Sequence, residues 1–90
     1  MDYEKEFKKV LLSHPHCILG KSGITTEFIT NVVKLLKRYK VIKIKALKTI
    51  ATKLNIKDLA IEISQLTNSH ILDIRGRVFI LSLHYPKKLS

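Results

Sequence analysis

The chain has no tryptophan, one cysteine, two prolines, three glycines and only seven acidic residues among 90. A lone Cys17 cannot close an internal disulfide, so the fold must hold by packing; inside an apolar run it reads as a small buried hydrophobe in a reducing compartment. No apolar stretch approaches the roughly 18 residues a membrane helix needs. The opening Met1-Asp2-Tyr3-Glu4-Lys5-Glu6 lacks the basic start and apolar core of a secretory signal, and the expectation is a cytoplasmic protein. There is no internal repeat, low-complexity stretch or linker. The scarcity of acid is the most consequential shortage. Seven Asp and Glu face seventeen Lys and Arg, a formal charge of +10, which favours a polyanionic partner with nucleic acid first among candidates. An acidic membrane surface fits less well, because no helix sets a Trp/Phe/Leu face against a continuous Lys face.

What is present is a core-forming composition. Apolar residues make up 46% of the chain and charged ones 27%, values of a folded domain and not of a disordered basic tail. Ninety residues allow one domain, 1–90, with a core over about 14–85 and a basic tail at 86–90. Tyr3, Phe7, Val10 and Leu11 recur at helical spacing and predict a first helix from Asp2, its cap, to Ser13, stopped by Pro15. Cys17 to Leu19 predicts a short buried strand. Thr25 or Thr26 caps a second helix with Glu27 in its first turn; Phe28, Val32, Leu35, Leu36 and Tyr39 form its apolar stripe, and Asn31, Lys34, Lys37 and Arg38 its polar face. Val41 to Leu47 sets Ile42, Ile44 and Ala46 against Lys43 and Lys45, a strand with a basic outer face. After a polar connection, Lys48 to Leu54, Asn55 is placed to cap a third helix with Asp58 three residues on and Ile56, Leu59, Ala60, Ile63 and Leu66 buried. His70 to Ile74 and Val78 to His84 read as strands around a tight Arg75-Gly76-Arg77 hairpin. The order αβαβαββ predicts an α/β (α+β) domain with a mixed sheet.

The motif that carries chemistry follows the first strand: Gly20-Lys21-Ser22-Gly23, then a helix start. Glycines permit close approach of a ligand to the main chain, and a helix start presents free amides and a positive dipole end. A phosphate suits that cradle. Gly20 alone has a sufficient explanation in turn geometry, whereas a cation and a hydroxyl between two glycines favour an anion. It is not a Walker A loop, whose glycine spacing and Lys-Ser/Thr ending are absent, so nucleotide hydrolysis is not expected.

Ile18-Leu19-Gly20-Lys21-Ser22-Gly23-Ile24-Thr25, then Phe28-Ile29, Val41-Ile42-Lys43-Ile44-Lys45 and the Ile74-Arg75-Gly76-Arg77 hairpin resemble the CRM domain, the YhbY-like family of RNA-binding proteins linked to ribosome maturation. The resemblance runs from His14 to Tyr85. It implies a four-stranded mixed sheet with helices packed on it, similar to the C-terminal domain of bacterial initiation factor three. It also implies an RNA-backbone grip by Gly20, Lys21, Ser22 and Gly23 of the kind a KH domain makes, extended by Lys34, Lys37 and Arg38 on the following helix. Arg75 and Arg77 complete the candidate RNA-binding set. The implied partner is structured ribosomal RNA, in a pre-ribosomal particle, with the chain acting as a monomer that assists large-subunit assembly.

Other chemistries find little support. His14, His16 and Cys17 cluster in sequence, but three ligands within four residues around Pro15 converge poorly on a metal. Asp2, Glu4, Glu6, Glu27, Asp58, Glu62 and Asp73 are scattered, and Ser22 has no base beside it, so no enzyme and no cofactor are expected. Phe28, Tyr39 and Phe79 read as core, His70 and His84 as strand-face residues, and Tyr85 as the best exposed aromatic. The alternatives are an Alba-like duplex-DNA chromatin protein and a protein-interaction subunit of a ribonucleoprotein.

Overall fold

A computed structural model describes residues 3–50 and 55–84. The Asp2 cap, the side chains of residues 3, 4 and 6, most of the connection before Asn55, Tyr85 and the basic tail lie outside the described residues. The elements follow the expected order: α1 (Tyr3–Leu11), β1 (Cys17–Leu19), α2 (Thr26–Tyr39), β2 (Val41–Ala46), α3 (Ile56–Thr67), β3 (His70–Arg75) and β4 (Val78–Ser82). They form one four-stranded sheet, β1-β2-β4-β3, with β1 parallel to β2 and the other pairs antiparallel. The parallel pair needs a crossover, and α2 supplies it.

Helices α2 and α3 cover one face. Leu19, Ile42, Ile44, Phe79 and Leu81 from the strands meet Val32 and Leu36 of α2 and Ile56, Ala60 and Ile63 of α3, with Phe28 and Leu35 packed against them. The β2 alternation therefore puts Ile42, Ile44 and Ala46 inward as expected. The opposite face is not the open basic surface that Lys43 and Lys45 suggest. Helix α1 lies across it and buries Val10 with Val41 and Ile80, with Phe7, Leu11 and Leu72 packed around them. Lys43 is half-buried there, its Nζ donating to the carbonyls of Leu11 at 3.0 Å and Ser13 at 2.9 Å and so satisfying the end of α1. Only Lys45 of that pair is exposed.

Four further expectations need correction. Ile18 is 56% exposed, because β1 is an edge strand whose outer side α1 does not reach. Leu66 is 54% exposed; the buried stripe of α3 ends on Thr67, whose Oγ1 donates to the Ile63 carbonyl at 2.7 Å. Asn55 makes no side-chain cap bond and donates instead to the Ile50 carbonyl at 3.1 Å. Tyr39 is 41% exposed, since the last turn of α2 carries the end of its stripe past the core. At the β3–β4 turn, Arg75 pairs with Val78, leaving Gly76 and Arg77 as a two-residue loop, and Gly76 takes the left-handed φ of +58° such a turn requires. His84 lies beyond the end of β4.

Candidate nucleic-acid interface

The loop after β1 is a hydrogen-bonded β-turn. The Gly23 amide donates to the Gly20 carbonyl at 3.0 Å, so Gly23's N–H is spent on the turn and is unavailable to an anion. Lys21 and Ser22 occupy the exposed central positions, and their amides have no intrachain hydrogen-bond partner among the described residues. Thr25 then caps α2, its Oγ1 accepting from the Phe28 amide at 3.0 Å.

The two glycines have different reasons to be glycine. Gly23 has φ +72°, where an L side chain is strained. Gly20 has no such angle, and a Cβ built on it meets nothing within 4 Å. Turn geometry thus explains Gly23 and leaves Gly20 unexplained, the reverse of the sequence expectation that Gly20 needs no more than geometry. What a side chain at Gly20 would occupy is open space beside the turn.

The sheet register brings the hairpin to the same end of the molecule. Leu19 pairs with Ala46, the Ala46 amide donates to the Arg77 carbonyl at 2.8 Å, and the Leu47 amide donates to Leu19 at 3.0 Å. Gly20–Gly23, exposed Lys45 and Lys48, and Arg75–Arg77 therefore share one end of the sheet. Arg75 is partly neutralised by an ion pair with Asp73 two residues earlier on its strand. Arg77, half-buried, has no ion pair among the described residues.

Lys34, Lys37 and Arg38 do not converge with the loop. They are exposed on the outer face of α2, about 12–18 Å along the helix from its start at 1.5 Å per residue. Lys37 and Arg38 lie in the last turn, where cations are favoured by the helix dipole, and Lys40 adds to this by donating from Nζ to the Lys37 carbonyl at 3.0 Å. Beside them is an arrangement that sequence reasoning missed. The Arg38 guanidinium lies over the exposed Tyr39 ring, 5.4 Å from its centroid, and the His16 ring is tilted against Tyr39 with centroids 4.9 Å apart. The available signal was that Tyr39 is the last helical residue, one step before β2 begins, where an apolar stripe runs off the sheet.

His16 is itself fixed. Its amide donates to the Lys43 carbonyl at 2.8 Å, and its Nδ1 accepts from the Lys43 amide at 3.1 Å, so the imidazole stands where a strand carbonyl would. Burial, and then the neighbouring Lys43 charge, hold its pKa below the ordinary histidine value. Burial pushes the Cys17 thiol up, against smaller opposing effects of the Asn31 amide, which donates to Sγ at 3.7 Å, and the Ile18 backbone. A thiol held protonated and an imidazole nitrogen already accepting are poor metal donors, and no group of three His, Cys, Asp or Glu among the described residues could hold an ion.

A family model described as the CRS1/YhbY (CRM) domain matches residues 5–81. The chain belongs to the CRM domain family. That span includes most of α1 as well as the glycine loop and the hairpin. Among solved structures, this CRM domain is similar to the solution structure of the hypothetical protein SAV1595 from Staphylococcus aureus, described as a candidate RNA-binding protein. The TM-score is 0.73 at 20% identity, over 93% of this chain and 85% of that one. At that identity the likeness speaks for the fold alone. No curated protein matches the chain.

Proposed function

We propose that this CRM domain binds structured ribosomal RNA by its backbone, with the Gly20–Gly23 turn as the primary grip and Arg75 and Arg77 beside it. Lys34, Lys37 and Arg38 extend the contact along α2, and the bound chain assists assembly of the large ribosomal subunit. The observation that carries this reading is the turn itself: two unpartnered amides, a cation and a hydroxyl sit at the capped start of α2, next to a glycine whose missing side chain leaves room for a ligand. A phosphate oxygen accepts from such amides while the helix end and Lys21 supply positive potential. The net charge of +10 supplies the long-range attraction, and contacts confined to phosphates give affinity with little base preference.

The test is the salt-dependent affinity of the wild-type chain and of a Lys21→Asp, Ser22→Asp double variant for structured ribosomal RNA and duplex DNA, with folding followed by circular dichroism. Both glycines stay in place, so the turn is retained while its charge reverses. The expected result is a folded variant whose RNA affinity falls by about 100-fold, roughly 2.7 kcal/mol, and whose salt slope is shallower because fewer counterions are released. Unchanged RNA affinity would remove the turn from the mechanism. Tighter binding to duplex DNA than to RNA would favour a chromatin role instead.

A further inference from the structure

We propose that Tyr39, flanked by Arg38 and His16, is a stacking platform for one unpaired base of the RNA whose backbone the glycine turn holds. This rests on the RNA-binding reading and adds a second, chemically different contact to it. The described phenylalanines are accounted for by packing: Phe79 is fully buried, Phe28 joins the core beneath α2, and Phe7 joins the smaller core beneath α1. Tyr39 is the exception, a large ring 41% exposed at the end of a helix that could have ended on a polar residue. The ring is held in place by the tilted His16 ring, which is in turn locked by the Lys43 amide on Nδ1. A rigid exposed aromatic loses little entropy when a planar ligand lands on it.

The ring face also shows what kind of ligand it accepts. Arg38 already sets a cation over it, and an aromatic face that attracts a guanidinium also offers a π-face on which a nucleobase stacks. Arg38 is itself exposed, so an incoming base can take its place on the ring and be covered by the guanidinium from outside. Exposed Lys34 and Lys37 lie along the same helix to meet the flanking phosphates, and Glu27 is the helix's one acidic residue, at its far end. A membrane or a protein partner would need a broad apolar surface, whereas here a single ring stands among cations. The platform lies about 20 Å along α2 from the turn, so one strand held at the turn reaches it only after several nucleotides, and the site reads an unpaired base at a fixed distance.

The experiment compares the wild type with Tyr39→Leu and Tyr39→Phe on two probes, a single-stranded oligouridylate and a blunt RNA duplex of the same length, alongside the Lys21→Asp, Ser22→Asp variant. Thermal melts by circular dichroism show whether each variant is folded. Tyr39→Leu should weaken binding of the single-stranded probe by about 5- to 150-fold, the range for removing one base–aromatic stack. It should leave duplex binding within about twofold, and Tyr39→Phe should restore the single-strand affinity because the ring is kept. A measurement on the wild type alone is independent of variant folding: 5-iodouridine placed in the single strand should photocross-link to Tyr39. Equal losses on both probes, no loss on the single strand, or cross-links that avoid Tyr39 would overturn the platform. If wild-type binding depends on the turn while Tyr39→Leu binds normally, the platform alone fails. If the wild type binds neither probe, the RNA-binding reading fails and the platform with it.

Discussion

Helix α2 is flanked by two residues that share a positive φ, Gly23 at +72° two residues before its Thr25 cap and Lys40 at 71°, with ψ −38°, as its C-cap. At one end that angle falls on a glycine, and the surface offered is main chain. At the other it falls on a lysine, and the surface offered is side chains: Lys37, Arg38, Tyr39 and Lys40, with His16 against them. A non-glycine residue held at a positive φ costs on the order of 1–3 kcal/mol. On the proposed reading, the glycine stands where a phosphate would approach the backbone, and a side chain is kept where contacts would be made by side chains. The two ends of one helix thus follow opposite rules, and substitutions at matched φ should have opposite effects.

Gly23→Ala should produce the largest stability change. The strain of a Cβ at φ +72° should lower stability by about 1–2 kcal/mol, a fall of several degrees or more in the melting temperature of a domain this size. Gly20→Ala sharpens the comparison within the same turn. Its Cβ meets nothing within 4 Å, so the melt should stay within about 0.5 kcal/mol of wild type. If the turn grips RNA as proposed, affinity measured on the same sample should fall by about tenfold as the methyl fills the space the phosphate would take, a loss of about 1.4 kcal/mol. A Gly20→Ala variant that melts and binds like the wild type would show that the space is not used.

At the opposite end the sensitive property should be pH. The folded state holds His16 below its ordinary value of 6.5, first through burial and then through the Lys43 charge, and protonation would also remove the acceptor for the Lys43 amide. A base with a depressed folded-state pKa contributes stability that is complete above the unfolded value and declines as pH falls from about 6.5 toward the folded value. His16→Asn keeps an acceptor at the Nδ1 position without the titration. Melting temperatures of the wild type should therefore drop between neutral and mildly acid pH by more than those of His16→Asn. Parallel curves would assign the acid sensitivity to other groups.

The order of the elements was legible because the periodicities are strong, in the Ile42, Ile44, Ala46 alternation and the α2 stripe, and because Gly76 marks a tight hairpin, whereas several ends were read one or two residues too long. The glycine turn could be found from residue types and spacing. What could not be read was where elements lie relative to one another. Nothing in Tyr3–Leu11 says which sheet face it covers, so Lys43 read as a solvent cation when it satisfies the end of α1. Tyr39 and Leu66 obey the stripe rule and still end up exposed, because a helical stripe buries only as far as there is sheet or helix beneath it. That Gly23, and not Gly20, is the glycine the turn itself requires was hidden too, since it depends on which of the two takes the positive φ.

The smallest expected effect is the most direct probe of the comparison between the two helix ends. Lys40→Gly relieves a residue at positive φ of strain on the order of 1–3 kcal/mol, offset by about 0.4–1 kcal/mol from the greater freedom of glycine in the unfolded chain and by loss of the Nζ bond to the Lys37 carbonyl. The net change should be a rise of about 1 kcal/mol, opposite in sign to Gly23→Ala at nearly the same φ. If Lys40 also neutralises a phosphate, the stabilised variant should bind RNA more weakly, with a log–log salt slope shallower by about 0.7–0.9, the value for one contact. A more stable domain that binds less well would mean the strain persists because the cation is used. A more stable domain with an unchanged slope would mean that Lys40 serves only to close the helix and takes no part in the proposed RNA contact.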